Sequence, residues 1–247
     1  MKTWLILCAV LCAAVAPGWA VSLEEVRLVR SDSNGLEAVV LLPDPEVRPA
    51  EGHPGYQIVS LGRIPNQGEP GEPRLPRISF WVAVPPGATA SVTAEGLDQL
   101  FWDRVRPLPS SRLDWVEDES ETLPIQIETI EEDESIYGGS LFPASWAEVG
   151  RSATLRHLRI VPIIVSPVRW DPASGELQVA REIHVEVRFL PGPVPETARP
   201  ILREDPSWER VYRSTVLNAE AGRSWARGRT LVPRRARVLD THDLVKL

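Results

Sequence analysis

Cysteine is scarce in this 247-residue chain, which contains two, Cys8 and Cys12, both near the amino terminus. Beyond Cys12 the sequence has no thiol, so it can form no disulfide, no thiolate nucleophile and no cysteine metal site. Histidine is also rare, with four residues spread far apart along the chain, none near a second histidine or an evident pair of carboxylate ligands. A P-loop, a nucleophile elbow, a dinucleotide fingerprint and zinc-ligand spacing are all absent. We therefore expect no catalytic residue, no cofactor and no metal in this chain.

The first twenty residues have the pattern of a secretory signal peptide. Lys2 is their only charge, and residues 4–15 form an unbroken apolar run. Gly18 and Ala20 then supply the small side chains that a signal peptidase requires at the −3 and −1 positions. We expect cleavage after Ala20 and export to the periplasm, the cell surface or the medium. The alternative is a membrane anchor, but the apolar run is short of the roughly 20 residues that a spanning helix needs.

Charge narrows the possible partners of the exported chain. Removal of Lys2 takes the net charge from −7 to −8, because 26 basic residues then face 34 acidic ones. A negative chain is a poor ligand for nucleic acid, whose binding depends on neutralising phosphates. No later segment is apolar enough to span a membrane, so we expect no stable membrane insertion once the signal is removed.

Alternation of apolar and polar residues dominates the chain from residue 21 to residue 190 and predicts an all-β fold, an antiparallel β-sandwich. The predicted strands cover residues 35–42, 56–61, 78–84, 90–94, 155–168, 176–180 and 182–190. Residues 62–77, rich in proline and glycine, and residues 103–122, rich in charge, predict loops. Pro162 predicts an edge or bulge position within its strand.

The character of the sequence changes after residue 190. Residues 191–229 predict a linker and a short helical or irregular tail, and six arginines lie between residues 223 and 237 with no acidic residue among them. Such a stretch is either a solvated segment that attracts anions or a region cut by a trypsin-like protease. The candidates for processing are Arg223, Arg227, Arg229 and Arg235.

Several motifs, taken in order, carry a resemblance to a known family. They lie at residues 71–76 (GEPRLP), 84–88 (VPPGA), 137–143 (YGGSLFP), 158–177 (LRIVPIIVSPVRWDPASGEL), 182–189 (EIHVEVRF) and 212–218 (YRSTVLN). Their order and spacing resemble the propeptide of gingipain-type cysteine peptidases over roughly residues 24–220. The resemblance implies a secreted β-sandwich prodomain that assists folding of its partner, the cognate cysteine peptidase domain, and holds that domain inactive until it is cleaved away.

The resemblance also implies that a basic side chain of the prodomain enters an acidic specificity pocket, where an arginine fork can bind bidentately. Arg151 is the candidate, because it lies in a loop between matched blocks, and Arg104, Arg106 and Arg112 are alternatives. No position matches a catalytic Cys/His pair, so we expect this chain to be non-catalytic. Residues 230–247 are expected to begin a following domain that is truncated here.

Two other interpretations compete with the propeptide. One is a free-standing secreted β-sandwich that binds proteins or sugars through its loops, and the other is an enzyme of unrecognised type. A downstream reading frame for a cysteine–histidine peptidase domain favours the propeptide, and its absence favours the binding module.

Overall fold

The computed structural model describes residues 25–116, 125–192 and 206–227. The predicted signal peptide with its cleavage site at Ala20, the processing candidates Arg229 and Arg235, and the predicted domain start at residues 230–247 lie outside these ranges.

Fifteen strands and three helices occur within the described residues. The strands are β1 (Val26–Ser31), β2 (Gly35–Leu41), β3 (Pro45–Pro49), β4 (Gln57–Leu61), β5 (Asn66–Gln67), β6 (Leu75–Pro76), β7 (Ile78–Ala83), β8 (Ala88–Trp102), β9 (Arg112–Val116), β10 (Ile125–Thr129), β11 (Ala147–Val149), β12 (Ala153–Leu155), β13 (Leu158–Val165), β14 (Val168–Asp171) and β15 (Glu176–Pro191). The helices are α1 (Glu134–Tyr137), α2 (Pro206–Thr215) and α3 (Ala219–Arg227).

The first sheet is organised around β15, a strand of 16 residues. One side of β15 pairs antiparallel with β8 along almost its whole length. The other side pairs with β14 near its start and with β2 further on, and β1 adds to β2 at the edge. Strict alternation along β15 turns Ile183, Val185 and Val187 into the core and leaves His184 and Arg188 exposed. This face assignment is the one that the sequence predicts.

The second sheet has β13 at its centre, with β7 on one side and β11 and β12 on the other. Alternate residues of β7 and β13, such as Phe80, Val82 and Ile163, face the first sheet and join its buried residues in one core. The two sheets thus form the predicted antiparallel β-sandwich, with short helices near the carboxyl end. The all-β fold class predicted from the sequence is confirmed.

Pro162 lies in β13 but not at the edge of the sheet. The strand has neighbours on both sides, and Pro162 pairs with Trp81 of β7. Its carbonyl faces away from β7 and accepts a hydrogen bond from the amide of Gly150, in the gap between β11 and β12. Proline has no N–H, and at Pro162 that donor would point into the gap between β11 and β12, where no strand residue needs a hydrogen bond from it. Of the two predicted positions, an edge or a bulge, the edge is wrong, because β13 has neighbours on both sides; Pro162 lies instead where the ladder on the β11–β12 side is interrupted.

The outer side of the second sheet is covered by α2 and α3. Their joining residues run along the free edge of β7, where the amide of Leu217 donates to the carbonyl of Trp81 at 2.8 Å. Tyr212 of α2 and Val216 of the joining residues pack with Leu158 in a second, smaller apolar cluster. The end of β7 is therefore buried on both faces, which explains why its sequence is continuously apolar rather than alternating. No helix in the described part of the chain has the length and apolarity needed to cross a membrane.

Replacement of Trp170 by alanine is expected to destabilise the fold strongly. Trp170 is 2% exposed, and its indole Nε1 donates to the carbonyl of Val105 at 2.7 Å. Loss of a buried aromatic side chain costs about 3–5 kcal/mol, because it leaves a cavity and here also an unpaired carbonyl. Urea unfolding followed by circular dichroism measures the change. Phe101→Ala, at an exposed aromatic residue of β8, is the control and should cost less than about 1 kcal/mol. Equal losses in the two variants would contradict this account of the core.

Candidate functional site

A two-stranded hairpin, β9 and β10, pairs with neither large sheet. Leu113 and Trp115 lie on one of its faces and are 57% and 69% exposed. Ile127 lies opposite Asp114, and alternation places it on the other face together with Val116. Both of these side chains are exposed as well. The hairpin therefore presents apolar side chains to water on both faces.

Such a ribbon is unusual in a protein that stands alone. An isolated two-stranded hairpin is marginally stable in water, and exposed apolar groups of this kind mark sites of protein–protein contact. Apolar residues on one face would suit a flat partner surface. Apolar residues on both faces fit a partner that encloses the ribbon, such as a protein with a cleft.

The two chain ends that lead into the hairpin are joined by an ion pair. Arg106, six residues before β9, donates from Nε and Nη2 to the two carboxylate oxygens of Glu132 at 2.7 and 2.6 Å. The hydroxyl of Tyr56 donates to the same carboxylate at 2.9 Å. The guanidinium also lies over the rings of Tyr56 and Tyr137, at 5.8 and 5.6 Å from their centres. We call these four residues the hairpin clamp.

The charges of the hairpin clamp stabilise one another. Burial raises the pKa of Glu132, but the hydrogen bonds from Arg106 and Tyr56 outweigh burial and hold the pKa below its ordinary value. The hydrogen bond to Glu132 raises the pKa of Arg106. Burial, followed by the bond to Glu132, raises the pKa of Tyr56. At neutral pH the clamp is therefore an ionised carboxylate held by a cation and a neutral phenol.

Two buried aromatic residues fix the segment that leads into β9. The hydroxyl of Tyr137 donates to the carbonyl of Pro107 at 2.7 Å, two residues from the carbonyl that Trp170 contacts. The rings of Tyr137 and Trp170 pack at 4.9 Å between centres. Burial raises the pKa of Tyr137 far above its ordinary range, so its hydroxyl remains a donor at any physiological pH.

Backbone hydrogen bonds complete the base of the hairpin. The amide of Arg74 donates to the carbonyl of Leu108, and the amide of Ser110 to that of Glu72. The amide of Gly71 donates to the carbonyl of Ser110 at 2.9 Å. The proline- and glycine-rich loop at residues 62–77, in which the sequence predicts little regular structure, thus serves as a support for the hairpin. It contains two short strands, β5 and β6.

The arginines proposed from the family resemblance occupy separate places. Arg151 lies in the turn between β11 and β12, is exposed, and has no hydrogen-bond or ion-pair partner among the residues that the structure describes. Arg112 begins β9, is exposed, and pairs with Asp114 at 2.8 Å. Arg106 belongs to the clamp. Arg104 lies in the turn after β8 with a left-handed φ of 58°. The structure therefore does not bring these residues to one site, and a role for any of them in a pocket stays a prediction.

The processing candidates divide between the helices and the undescribed tail. Arg223 lies within α3, and its guanidinium pairs with Glu209 of α2. Its side chain is 21% exposed. Arg227 is the last residue of α3. Cleavage at either residue stays a prediction.

Histidine and carboxylate side chains are dispersed over the surface. His184 pairs with Glu182 at 2.6 Å on the outer face of the first sheet. In the described ranges, no group of three or more histidine, cysteine, aspartate or glutamate residues is arranged to hold a metal ion.

The family to which this chain belongs follows from comparison with known proteins. The family model Propeptide_C25 matches residues 25–224. The chain belongs to the C25 propeptide family. A search of curated proteins finds no match.

Two solved structures share the fold of this C25 propeptide. One is the complex of the pro- and mature domains of RgpB from Porphyromonas gingivalis, at 21% identity and a TM-score of 0.59, which covers 79% of this chain and 98% of the matched chain. The other concerns the zymogenic latency of gingipain K from the same organism, at 21% identity and a TM-score of 0.50, which covers 66% and 91%. The resemblance to gingipain propeptides inferred from the sequence motifs is confirmed.

The hairpin is the part of this C25 propeptide that the sequence analysis missed. Residues 112–116 (RLDWV) fall inside the stretch interpreted as a charged connection. Alternation was present there, since Leu113 and Trp115 are separated by Asp114, and residues 125–129 (IQIET) alternate too. The acidic residues between the two segments are more typical of a solvated loop than of a hairpin.

Glu132→Gln is expected to loosen the base of the hairpin. The variant keeps the shape of the side chain but removes its charge, and we expect a loss of about 1 kcal/mol, because Arg106 is half exposed to solvent. Hydrogen exchange of the β9 and β10 amides should quicken, while exchange in β13 should not. Glu186→Gln, at an exposed glutamate paired with Arg188, is the matched control.

The clamp also predicts a pH dependence. Because the pKa of Glu132 is lower in the folded chain, its contribution to stability is complete above the ordinary value of about 4.3 and is lost as the pH falls through the folded value. At a pH below the folded pKa of Glu132, the amides of β9 and β10 in the wild type should exchange as fast as those in Glu132→Gln. A difference between the two proteins that does not shrink as the pH falls below the ordinary value would contradict the assignment.

Proposed function

We propose that this chain is the exported propeptide of a C25 cysteine peptidase, and that it inhibits the peptidase and assists its folding by inserting the β9–β10 hairpin into a cleft. The observation that carries the proposal is the hairpin itself, whose apolar side chains are exposed on both faces above a rigid base. Family membership supplies the class of partner. The solved structures support the same partner, since one is a complex of pro- and mature domains.

A rigid base suits an inhibitor. A segment held in its bound shape before association loses little conformational entropy on binding, so more of the contact energy appears as affinity. The ladder between β9 and β10 also holds the backbone in paired strands. A peptide bond kept in that pairing is not free to take the geometry needed for attack by a catalytic thiolate.

The proposed domain order follows the sequence. Residues 1–20 direct export and are removed after Ala20, residues 21–190 form the inhibitory sandwich, residues 191–229 contain the processing region, and residues 230–247 begin the next domain. The proposed location is the periplasm, the cell surface or the medium. The proposed partner is the cognate cysteine peptidase domain, and neither nucleic acid nor a membrane is a partner.

Trp115→Ala is expected to weaken inhibition of the cognate C25 peptidase without unfolding the propeptide. Buried aromatic anchors dominate protein interfaces, and their truncation costs about 2 kcal/mol or more, which is about thirtyfold in the inhibition constant. Inhibition in trans by the secreted chain, measured against a chromogenic substrate, gives this constant. Phe101→Ala removes another exposed aromatic residue, which lies outside the hairpin, and should inhibit like the wild type. Full peptidase activity in excess wild-type chain would overturn the inhibitor function and favour the free-standing binding module.

A basic residue in the specificity pocket is tested separately. Arg151 is proposed for this role because it is exposed and has no partner in the described part of the chain. Arg151→Gln should weaken inhibition at least tenfold, because a cation in an acidic pocket makes charge-assisted hydrogen bonds. Arg112→Gln removes a similar charge from the base of the hairpin, and the comparison identifies which arginine, if either, enters the pocket. Wild-type inhibition by both variants would exclude Arg151 and Arg112 as the pocket residue and leave Arg104 and Arg106 to be tested in the same way.

A further inference from the structure

The turn between β1 and β2 contains an asparagine directly before a glycine, Asn34 and Gly35. We propose that Asn34 is a site of spontaneous deamidation, that Asp32 restrains the reaction in the folded chain, and that the isoaspartate product loosens the attachment of this turn to β15. The proposal concerns the sandwich itself, and it holds whether or not the propeptide inhibits its partner.

Deamidation at such a pair needs no reactant other than water. The backbone nitrogen of Gly35 loses its proton and attacks the side-chain carbonyl carbon of Asn34, and the side-chain nitrogen takes up a proton and leaves as ammonia. Water then opens the five-membered succinimide at either of its carbonyls. One product is aspartate, and the other is isoaspartate, in which the main chain continues through the former side chain and the α-carboxylate is free. Glycine favours the attack, because it has no Cβ to hinder the approach.

The glycine of this pair is required by the packing of β2 against β15. A Cβ added at Gly35 would overlap the carbonyl oxygen of Val187. A glycine inside a strand often marks such a close approach of two backbones. The pairing of the two strands therefore keeps glycine at this position, and the same missing side chain leaves the preceding asparagine open to attack.

Asn34 is the most reactive of the three asparagines in the sequence. It is exposed, and its side chain makes no hydrogen bond within the described residues. Asn66 and Asn218 precede glutamine and alanine rather than glycine. Their side chains are also held, since the Nδ2 of Asn66 donates to the carbonyl of Val59 at 2.7 Å and that of Asn218 to the carbonyl of Ala83 at 3.0 Å.

Asp32 holds the nitrogen that must attack. Its Oδ1 accepts hydrogen bonds from the amides of Asn34 and Gly35, at 2.7 and 3.2 Å. An amide that donates to a carboxylate is harder to deprotonate, because the negative charge favours the protonated donor. The Oδ2 of Asp32 accepts from Nη1 of Arg30 at 3.1 Å, so the carboxylate is itself held in place.

The peptide unit between Asn34 and Gly35 is also bonded to β15. The amide of Phe189 donates to the carbonyl of Asn34 at 2.7 Å, and Phe189 is a buried residue of the core. Ring closure requires rotation of this peptide unit, which breaks the bonds to Phe189 and Asp32, so the reaction must wait for local opening of the turn. In the isoaspartate product the carbonyl that Phe189 contacts becomes part of a free carboxylate, and the main chain gains one carbon. We therefore expect this product to release the end of β15 from the turn.

The experiment follows the full chain in mildly alkaline buffer by mass spectrometry of the peptide that contains Asn34, with fragmentation that distinguishes isoaspartate from aspartate. Asp32→Ala removes the acceptor of both amides and should accelerate deamidation by about tenfold or more. Asp32→Asn keeps an acceptor oxygen but loses the charge, and should accelerate the reaction less. Glu37→Gln is the matched control, because Glu37 is the other carboxylate bonded to Arg30 and contacts neither amide, and it should react at the wild-type rate.

A second set of measurements separates loss of the restraint from unfolding of the whole chain. Circular dichroism in buffer checks that each variant is folded. Wild-type chain unfolded in urea should deamidate at Asn34 at least as fast as folded Asp32→Ala, because no bond then holds the turn. In wild-type chain that has formed isoaspartate, the amide of Phe189 should exchange hydrogen faster than before, while the amides of β13 should not. The proposal is overturned if the folded Asp32 variants deamidate no faster than the wild type, if unfolding does not accelerate the reaction, or if isoaspartate leaves the exchange of Phe189 unchanged.

Discussion

The pairing of β15 on both of its sides is the constraint on which the rest of this molecule depends. A buried strand must have partners for its backbone groups, and β15 finds them in β8, β2 and β14. β14 directly precedes β15 in sequence, whereas β2 and β8 come from distant parts of the chain, and their pairing with β15 sets the order of the first sheet. The second sheet then packs on the apolar face that this pairing creates. The hairpin and the helices α2 and α3 are attached to this frame.

The parts of the fold that could be predicted are those whose side chains alternate cleanly between core and solvent. Residues 182–190 show this, and β15 has the faces that the sequence predicts. Its partner β8 runs over 15 residues, whereas the sequence suggests a strand at residues 90–94. Most side chains of β8 are half-buried or exposed, so alternation is weak there. The extent of β8 is imposed by the length of β15, which local pattern does not reveal.

Contacts between distant residues account for what could not be predicted at the candidate site. Arg106 and Glu132 are separated by 26 positions, and Asn218 and Ala83 by 135. In sequence, Arg106 resembles any surface arginine, and Asn218 resembles a residue that ends one helix and begins the next. Their functions depend on partners that only the folded chain supplies. The hairpin was missed for another reason, because its two alternating segments cover only five residues each and the acidic residues between them are more typical of a solvated loop.

The exposed hairpin also affects the tendency of the chain to aggregate when no partner covers it. Once separated from a partner, the chain carries a ribbon with tryptophan, leucine, valine and isoleucine side chains in contact with water. Strands of this kind recruit other strands and promote aggregation when they are not covered. Under the function proposed above, a propeptide separated from its partner is therefore prone to self-association, and its degradation would remove an aggregation-prone species.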